Sequence, residues 1–245
     1  MNISKKIMFF LLLALVSGDA LWAAQPQQMC FNHDEETFYL TNIGTLRDLL
    51  ETKELNVNAR DQAGRTLLIA AIEANSLDVI ELLVANGVDI DLGIDCAEQP
   101  PLHCAIWNFH SGIVEFLLDH GTQHINYPDA DGTLPLCTAA HGGRLINDID
   151  DKTITPEDLQ TYLPVCQEMI RLLVSRGADI NGKNTPGETA LHEAVTWGLP
   201  ELAKTLIDLG ADINAQDSKG KTPLDYAYER DNQEIISILT QPIHA

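Results

Sequence analysis

The sequence predicts an all-α fold: a solenoid of about six helix-turn-helix units joined by β-hairpin loops, with 22 additional residues inserted in the fourth unit. Three observations lead there. Short apolar blocks recur around Leu68, Leu102, Leu136, Leu191 and Leu224, in steps of 34, 34, 55 and 33 residues. A glycine closing a second apolar pair (Gly87, Gly121, Gly177, Gly210) follows the leucine of its unit by 19, 19, 41 and 19 residues. The long step and the long interval share one 22-residue excess in one unit, so a single insertion explains both. Finally, 245 residues with 45% hydrophobic content can bury a core despite a formal charge of −21, which separates the chain from disordered acidic sequences.

The elements follow in order. Residues 1–24 read as a secretory signal: Lys5-Lys6, ten apolar residues from Ile7 to Val16, then Ser17-Gly18-Asp19-Ala20. Ten residues span about 15 Å as a helix, about half a hydrocarbon core, so no membrane insertion is expected after cleavage within 20–24. Cleavage after residue 24 leaves 13 basic and 35 acidic residues, a net charge of −22. The expected location is the bacterial periplasm, with secretion as the alternative. A degenerate first unit covers 25–60; regular units cover 61–93 and 94–127; the enlarged unit covers 128–182; another unit covers 183–215, and a polar cap covers 216–245. Thr66 and Thr222 suit the N-cap of a first helix, Pro223 suits the position after it, and the four glycines end second helices in a left-handed conformation. The insertion lies near 144–164. Within it, Thr155-Pro156-Glu157-Asp158 predicts a short helix over 156–163, ahead of a second helix starting near Val165.

The repeated blocks read Thr66-Leu67-Leu68-Ile69-Ala70-Ala71, Pro100-Pro101-Leu102-His103-Cys104-Ala105, Leu134-Pro135-Leu136-Cys137-Thr138-Ala139, Thr189-Ala190-Leu191-His192-Glu193-Ala194 and Thr222-Pro223-Leu224-Asp225-Tyr226-Ala227. With Gly87-Val88-Asp89-Ile90-Asp91, Gly177-Ala178-Asp179-Ile180-Asn181 and Gly210-Ala211-Asp212-Ile213-Asn214, they resemble the ankyrin repeat, whose unit carries T-P-L-H-x-A and ends in G-A-D-x-N. The resemblance covers nearly all of residues 36–240. It implies a non-enzymatic scaffold that binds proteins on a concave face built from hairpin tips and first-helix ends. Exported proteins of this type resemble accessory factors of periplasmic peroxide defence linked to a catalase, immunity proteins that neutralise a toxin, and effectors that bind host proteins.

No motif argues for chemistry. There is no G-x-S-x-G, P-loop, dinucleotide fingerprint or Cys-x-x-Cys pair, so neither a cofactor nor a metal is expected. His103 and His192 occupy the histidine place of the repeat, where the resemblance implies hydrogen bonds from the helix start to neighbouring loops. Of Cys30, Cys96, Cys104, Cys137 and Cys166, the two in adjacent first helices, Cys104 and Cys137, read as buried thiols: neighbouring helices lie about 8–10 Å apart and a disulfide needs about 7 Å. The acidic run Asn147 to Asp151 lacks the glycine and glutamate of a calcium loop and reads as a solvated segment.

The candidate partner-binding residues follow the repeated blocks: Trp107, Asn108, His141, Thr196, Trp197, Glu229 and Arg230. A tryptophan that the repeat does not require, at an exposed helix end, is the kind of residue that anchors an interface. The alternative is that the insertion folds over one of them. The acidic balance predicts a basic or polar protein partner and excludes nucleic acid. The chain is expected to be a monomer.

Overall fold

The computed structural model describes residues 43–53, 55–60, 64–93, 99–142 and 156–241. The signal segment, Cys30, Cys96, the acidic run and the first part of the insertion therefore lie outside the described residues.

Short helices alternate along the chain: α1 (Ile43–Glu51), α2 (Leu67–Glu73), α3 (Leu77–Ala85), α4 (Pro101–Trp107), α5 (Ser111–Asp119), α6 (Pro135–Ala140), α7 (Pro156–Ser175), α8 (Ala190–Thr196), α9 (Pro200–Asp208), α10 (Pro223–Glu229) and α11 (Gln233–Thr240), with a 3₁₀ turn at His124–Asn126. Helices as short as α2 or α8 are marginal in isolation, so their starts are fixed by caps and their lengths by burial. Thr66 Oγ1 accepts from the Ile69 amide at 3.2 Å, and Thr222 Oγ1 from that of Asp225 at 3.3 Å. At α8 the capping is reciprocal: His192 Nδ1 accepts from the Thr189 amide at 3.2 Å and lies 2.9 Å from its hydroxyl. Pro101, Pro135, Pro200 and Pro223 occupy first helical turns, where a missing N–H costs nothing.

Each first helix turns into its partner through a residue of positive φ: Asn75, Phe109, Gly142, Gly198 and Asp231. A bulky aromatic is costly there, and Phe109 (φ 59°) sits where its neighbours use glycine or a short polar side chain. Leu68, Leu102, Leu136 and Leu191 are all buried, whereas Leu224 of the last described pair is only half-buried, having no following unit to cover it.

The loops between units turn back sharply without forming strands. Among the described residues the β pairing is one isolated bridge, Arg60 to Thr66, so the expected β-hairpins are tight turns. One backbone bond spans each turn, from the amides of Asp129, Asn184 and Asp217 to the carbonyls of Thr133, Glu188 and Lys221, and side chains satisfy further amides. Asp129 Oδ1 accepts from the amides of Asp131 and Thr133 at 3.0 and 2.8 Å, and Asp217 Oδ1 from those of Lys219 and Lys221, both at 2.8 Å. Asn184 Oδ1 accepts from the Glu188 amide at 2.7 Å.

A second polar series links one unit to the next. Asn58 Oδ1 accepts from the Asp89 amide (2.9 Å), Asp91 from Gln123 (2.9 Å), Asn126 from Asp179 (2.9 Å) and Asn181 from Asp212 (2.8 Å). These partners are 31, 32, 53 and 31 residues apart.

The expectation of a separate short helix over 156–163 is corrected. That segment and the following second helix form one continuous 20-residue helix, α7. Pro164 lies inside it and is exposed; it removes a single backbone donor, which the apolar seam below tolerates because Cys166, Met169, Ile170 and Leu173 hold the helix against the stack. The near end of α7 also packs: Tyr162 lies over Phe109, ring centroids 4.7 Å apart. That contact gives the strained Phe109 backbone its compensation.

Candidate functional site

The carboxyl ends of α4, α6 and α8 bring Trp107, His141 and Trp197 into one line. The Trp107 and His141 rings are 5.5 Å apart and edge-on, and the His141 and Trp197 rings are 6.4 Å apart. Trp107 closes α4, whereas His141 and Trp197 are the C-caps of their helices. Trp107 and His141 hold the same place of the repeat, five residues after Leu102 and Leu136, and Trp197 lies one place further on, six after Leu191. Trp197 is 44% exposed; Trp107 and His141 are half-buried. Burial drives the His141 pKa down to about 4, so its imidazole is neutral at physiological pH.

The other candidates divide. Asn108 turns inward, its Nδ2 donating to the Cys104 carbonyl at 2.8 Å, and so serves its own helix end. Thr196 is half-buried and its hydroxyl is without a partner. Glu229 is paired with Lys221 Nζ at 2.6 Å, and Arg230 is exposed beside it. Glu229 and Arg230 therefore sit at the far end of the line rather than within the aromatic group.

Glu193 belongs to the site although the sequence reading passed over it. Its carboxylate accepts from Trp197 Nε1 at 3.2 Å and from Asn184 Nδ2 at 3.0 Å, and so fixes the orientation of the indole. The available signal was the four-residue spacing of Glu193 and Trp197, which places them on one helical face. Burial first, and the Glu188 charge second, raise the Glu193 pKa to about 7. Tyr226 Oη completes the acidic neighbourhood, donating to Asp217 Oδ2 at 2.6 Å with Glu188 Oε1 at 3.2 Å.

His103 and His192 act in the architecture. His192 Nε2 donates to the Lys221 carbonyl (3.2 Å) and His103 Nε2 to that of Thr133 (2.9 Å), each tying a helix start to the next loop. Desolvation lowers both pKa values, consistent with neutral rings. His103 Nδ1 has no partner, because Pro100 stands where Thr189 supplies one to His192. His120 and His124 have a four-residue spacing that could serve zinc on a single helix, but α5 ends at Asp119. Their rings stack separately, on Phe116 and on Tyr127. Among the described residues no group of three or more His, Cys, Asp or Glu is placed to hold a metal, and no helix is long and apolar enough to cross a membrane. Cys104, Cys137 and Cys166 are buried free thiols, and desolvation pushes their pKa values up, to about 12 for Cys104 and Cys166.

A row of short helix pairs that cover one another, linked by polar turns and lined along one edge by first-helix ends, defines a helical repeat scaffold. The chain belongs to the ankyrin-repeat family: the family model for ankyrin repeats (3 copies) matches residues 38–129 and 165–244. Members of this family serve generally as protein-interaction scaffolds rather than as catalysts. The chain is similar to an ankyrin repeat protein of Acanthamoeba polyphaga mimivirus, 25% identical over 155 residues, covering 60% of this chain and 19% of the relative. It is also similar to an ankyrin repeat protein of fowlpox virus, 27% identical over 169 residues (66% of this chain, 28% of the relative). A third relative, from Dictyostelium discoideum and named as a serine/threonine-protein kinase, is 28% identical over 127 residues (51% of this chain, 11% of the relative). In each case the chain spans under a third of the relative's length.

Proposed function

We propose that this chain is an exported, non-enzymatic ankyrin-repeat receptor that acts as a monomer and holds a protein partner on the edge formed by the ends of its first helices. The observation that carries the reading is the Trp107–His141–Trp197 line. Three successive first helices end in rings that the repeat does not call for, and one of them, Trp197, is open to solvent. The solenoid has six units with a 22-residue insertion in the fourth. Support for the insertion comes from the inter-unit hydrogen bonds, whose 53-residue separation across it exceeds the usual 31 by that number. Support also comes from the family match, which stops at residue 129 and resumes at 165. Export to the periplasm rests on the basic, apolar and small-residue pattern of residues 1–24.

The test is capture from periplasmic extract with the full chain and with a Trp107→Ala/Trp197→Ala version. A partner retained by the first and lost by the second supports the reading. Equal retention by both would move function to another face. Amino-terminal sequencing of the chain recovered from that fraction should begin between residues 21 and 25.

A further inference from the structure

We propose that the middle of this face, around Trp197 and Glu193, receives a cationic side chain, an arginine or a lysine projecting from the protein partner. The inference deepens the concave-face reading and rests on it. Its basis is a charge pattern that the chain balances at both ends and leaves open at the centre.

At the first regular unit, Arg65 Nη1 holds Glu73 at 3.1 Å, and at the last, Lys221 Nζ holds Glu229 at 2.6 Å. In both, a cation in the turn before the first helix reaches a carboxylate eight residues later at that helix's end. The same two places hold Gln99 and Trp107, then Thr133 and His141, then Glu188 and Thr196 in the units between. In the unit of α8 the place of the cation is thus taken by a carboxylate, Glu188. A second carboxylate, Glu193, lies one helical turn before Trp197. Among the described residues neither is in an ion pair. Glu193 is met by the neutral donors Asn184 and Trp197, and Glu188 by the Tyr226 hydroxyl. Lys183, in the same loop, donates instead to the Gln216 carbonyl at 2.8 Å.

Beside these uncompensated charges lies the exposed indole, oriented by the bond from its N–H to Glu193. An aromatic face next to carboxylates attracts an organic cation through both the ring quadrupole and Coulomb energy, and a guanidinium also stacks on the ring. His141, the other ring beside Trp197, is kept neutral by burial and so does not repel the incoming charge. The arriving cation also favours the ionised form of Glu193.

The test is fluorescence anisotropy of a labelled, end-blocked hexa-arginine peptide titrated with the full chain at about pH 8 and physiological salt, where long-range attraction is screened. A hexa-citrulline peptide, equal in shape and uncharged, is the control. Trp197→Ala and Glu193→Gln should each weaken hexa-arginine binding by about five-fold or more. Glu81→Gln, which removes one charge from the exposed side of α3, should weaken it by less than about two-fold. Hexa-citrulline should not compete. Equal losses in Glu193→Gln and Glu81→Gln with none in Trp197→Ala would reduce the effect to net charge and overturn the proposal. Should Trp197→Ala lose helical circular dichroism, Trp197→Tyr and Glu193→Gln decide the matter. A protein captured by the full chain and lost by Trp107→Ala/Trp197→Ala, yet indifferent to Glu193→Gln and to hexa-arginine competition, would overturn this inference while leaving the concave-face reading in place.

Discussion

Replacing Glu193 by glutamine should change stability in opposite directions at low and high pH. The carboxyl titrates near 4.5 in the unfolded chain and at about 7 in the folded one, because burial and Glu188 disfavour its charge. Between those values the folded state holds a proton that the unfolded state has released, so wild-type stability falls as pH rises through the window. The displacement corresponds to a ceiling of about 3 kcal/mol, and partial contact with water reduces it to about 2 kcal/mol. Glutamine carries no charge, and its NH2 group cannot accept a hydrogen bond, whereas both oxygens of the carboxyl can accept whether or not it is protonated. Either Trp197 Nε1 or Asn184 Nδ2 then loses its partner, at about 1 kcal/mol. Urea unfolding followed by tryptophan fluorescence should show Glu193→Gln less stable than wild type by about 1 kcal/mol at about pH 5, and more stable by about 1 kcal/mol at about pH 8. A difference that stays constant across this range would refute the assignment of a raised pKa to Glu193.

Three further outcomes are expected. Pro100→Thr should stabilise the chain by about 1 kcal/mol in thermal or urea unfolding, since a threonine N-cap would supply His103 Nδ1 with the partner that Thr189 gives His192; an unchanged midpoint would count against the orphaned nitrogen. A double-mutant cycle of Phe109→Ala and Tyr162→Ala should return a coupling of about 0.5–1.5 kcal/mol, and additive losses would mean that the near end of α7 does not lean on the α4–α5 turn. Site-resolved alkylation at about pH 8 should leave Cys104, Cys137 and Cys166 unmodified in the native chain and label them after urea, because burial removes both access and thiolate character; rapid native labelling of any of them would contradict their placement.

Much of the architecture was legible because a solenoid is a local structure. Each unit packs on its neighbours, so leucines at 68, 102, 136, 191 and 224 and glycines at 87, 121, 177 and 210 state the fold by spacing alone. The orphaned His103 nitrogen could also have been foreseen, since Pro100 replaces the capping threonine within the motif. The spacing did not state that the loops are tight turns rather than β-hairpins: two backbone bonds close each turn at 129–133, 184–188 and 217–221, and Asp129, Asn184 and Asp217 satisfy further amides with side chains.

Sequence by itself determined the repeat and its register, because these depend on one-dimensional periodicity and on neighbours a fixed distance along the chain. Only the tertiary structure decided that residues 156–175 form a single helix, that Tyr162 covers Phe109, and that Glu193 holds the Trp197 indole beside His141. Their geometry depends on side-chain orientation and on how the units stack, which no spacing along the chain states.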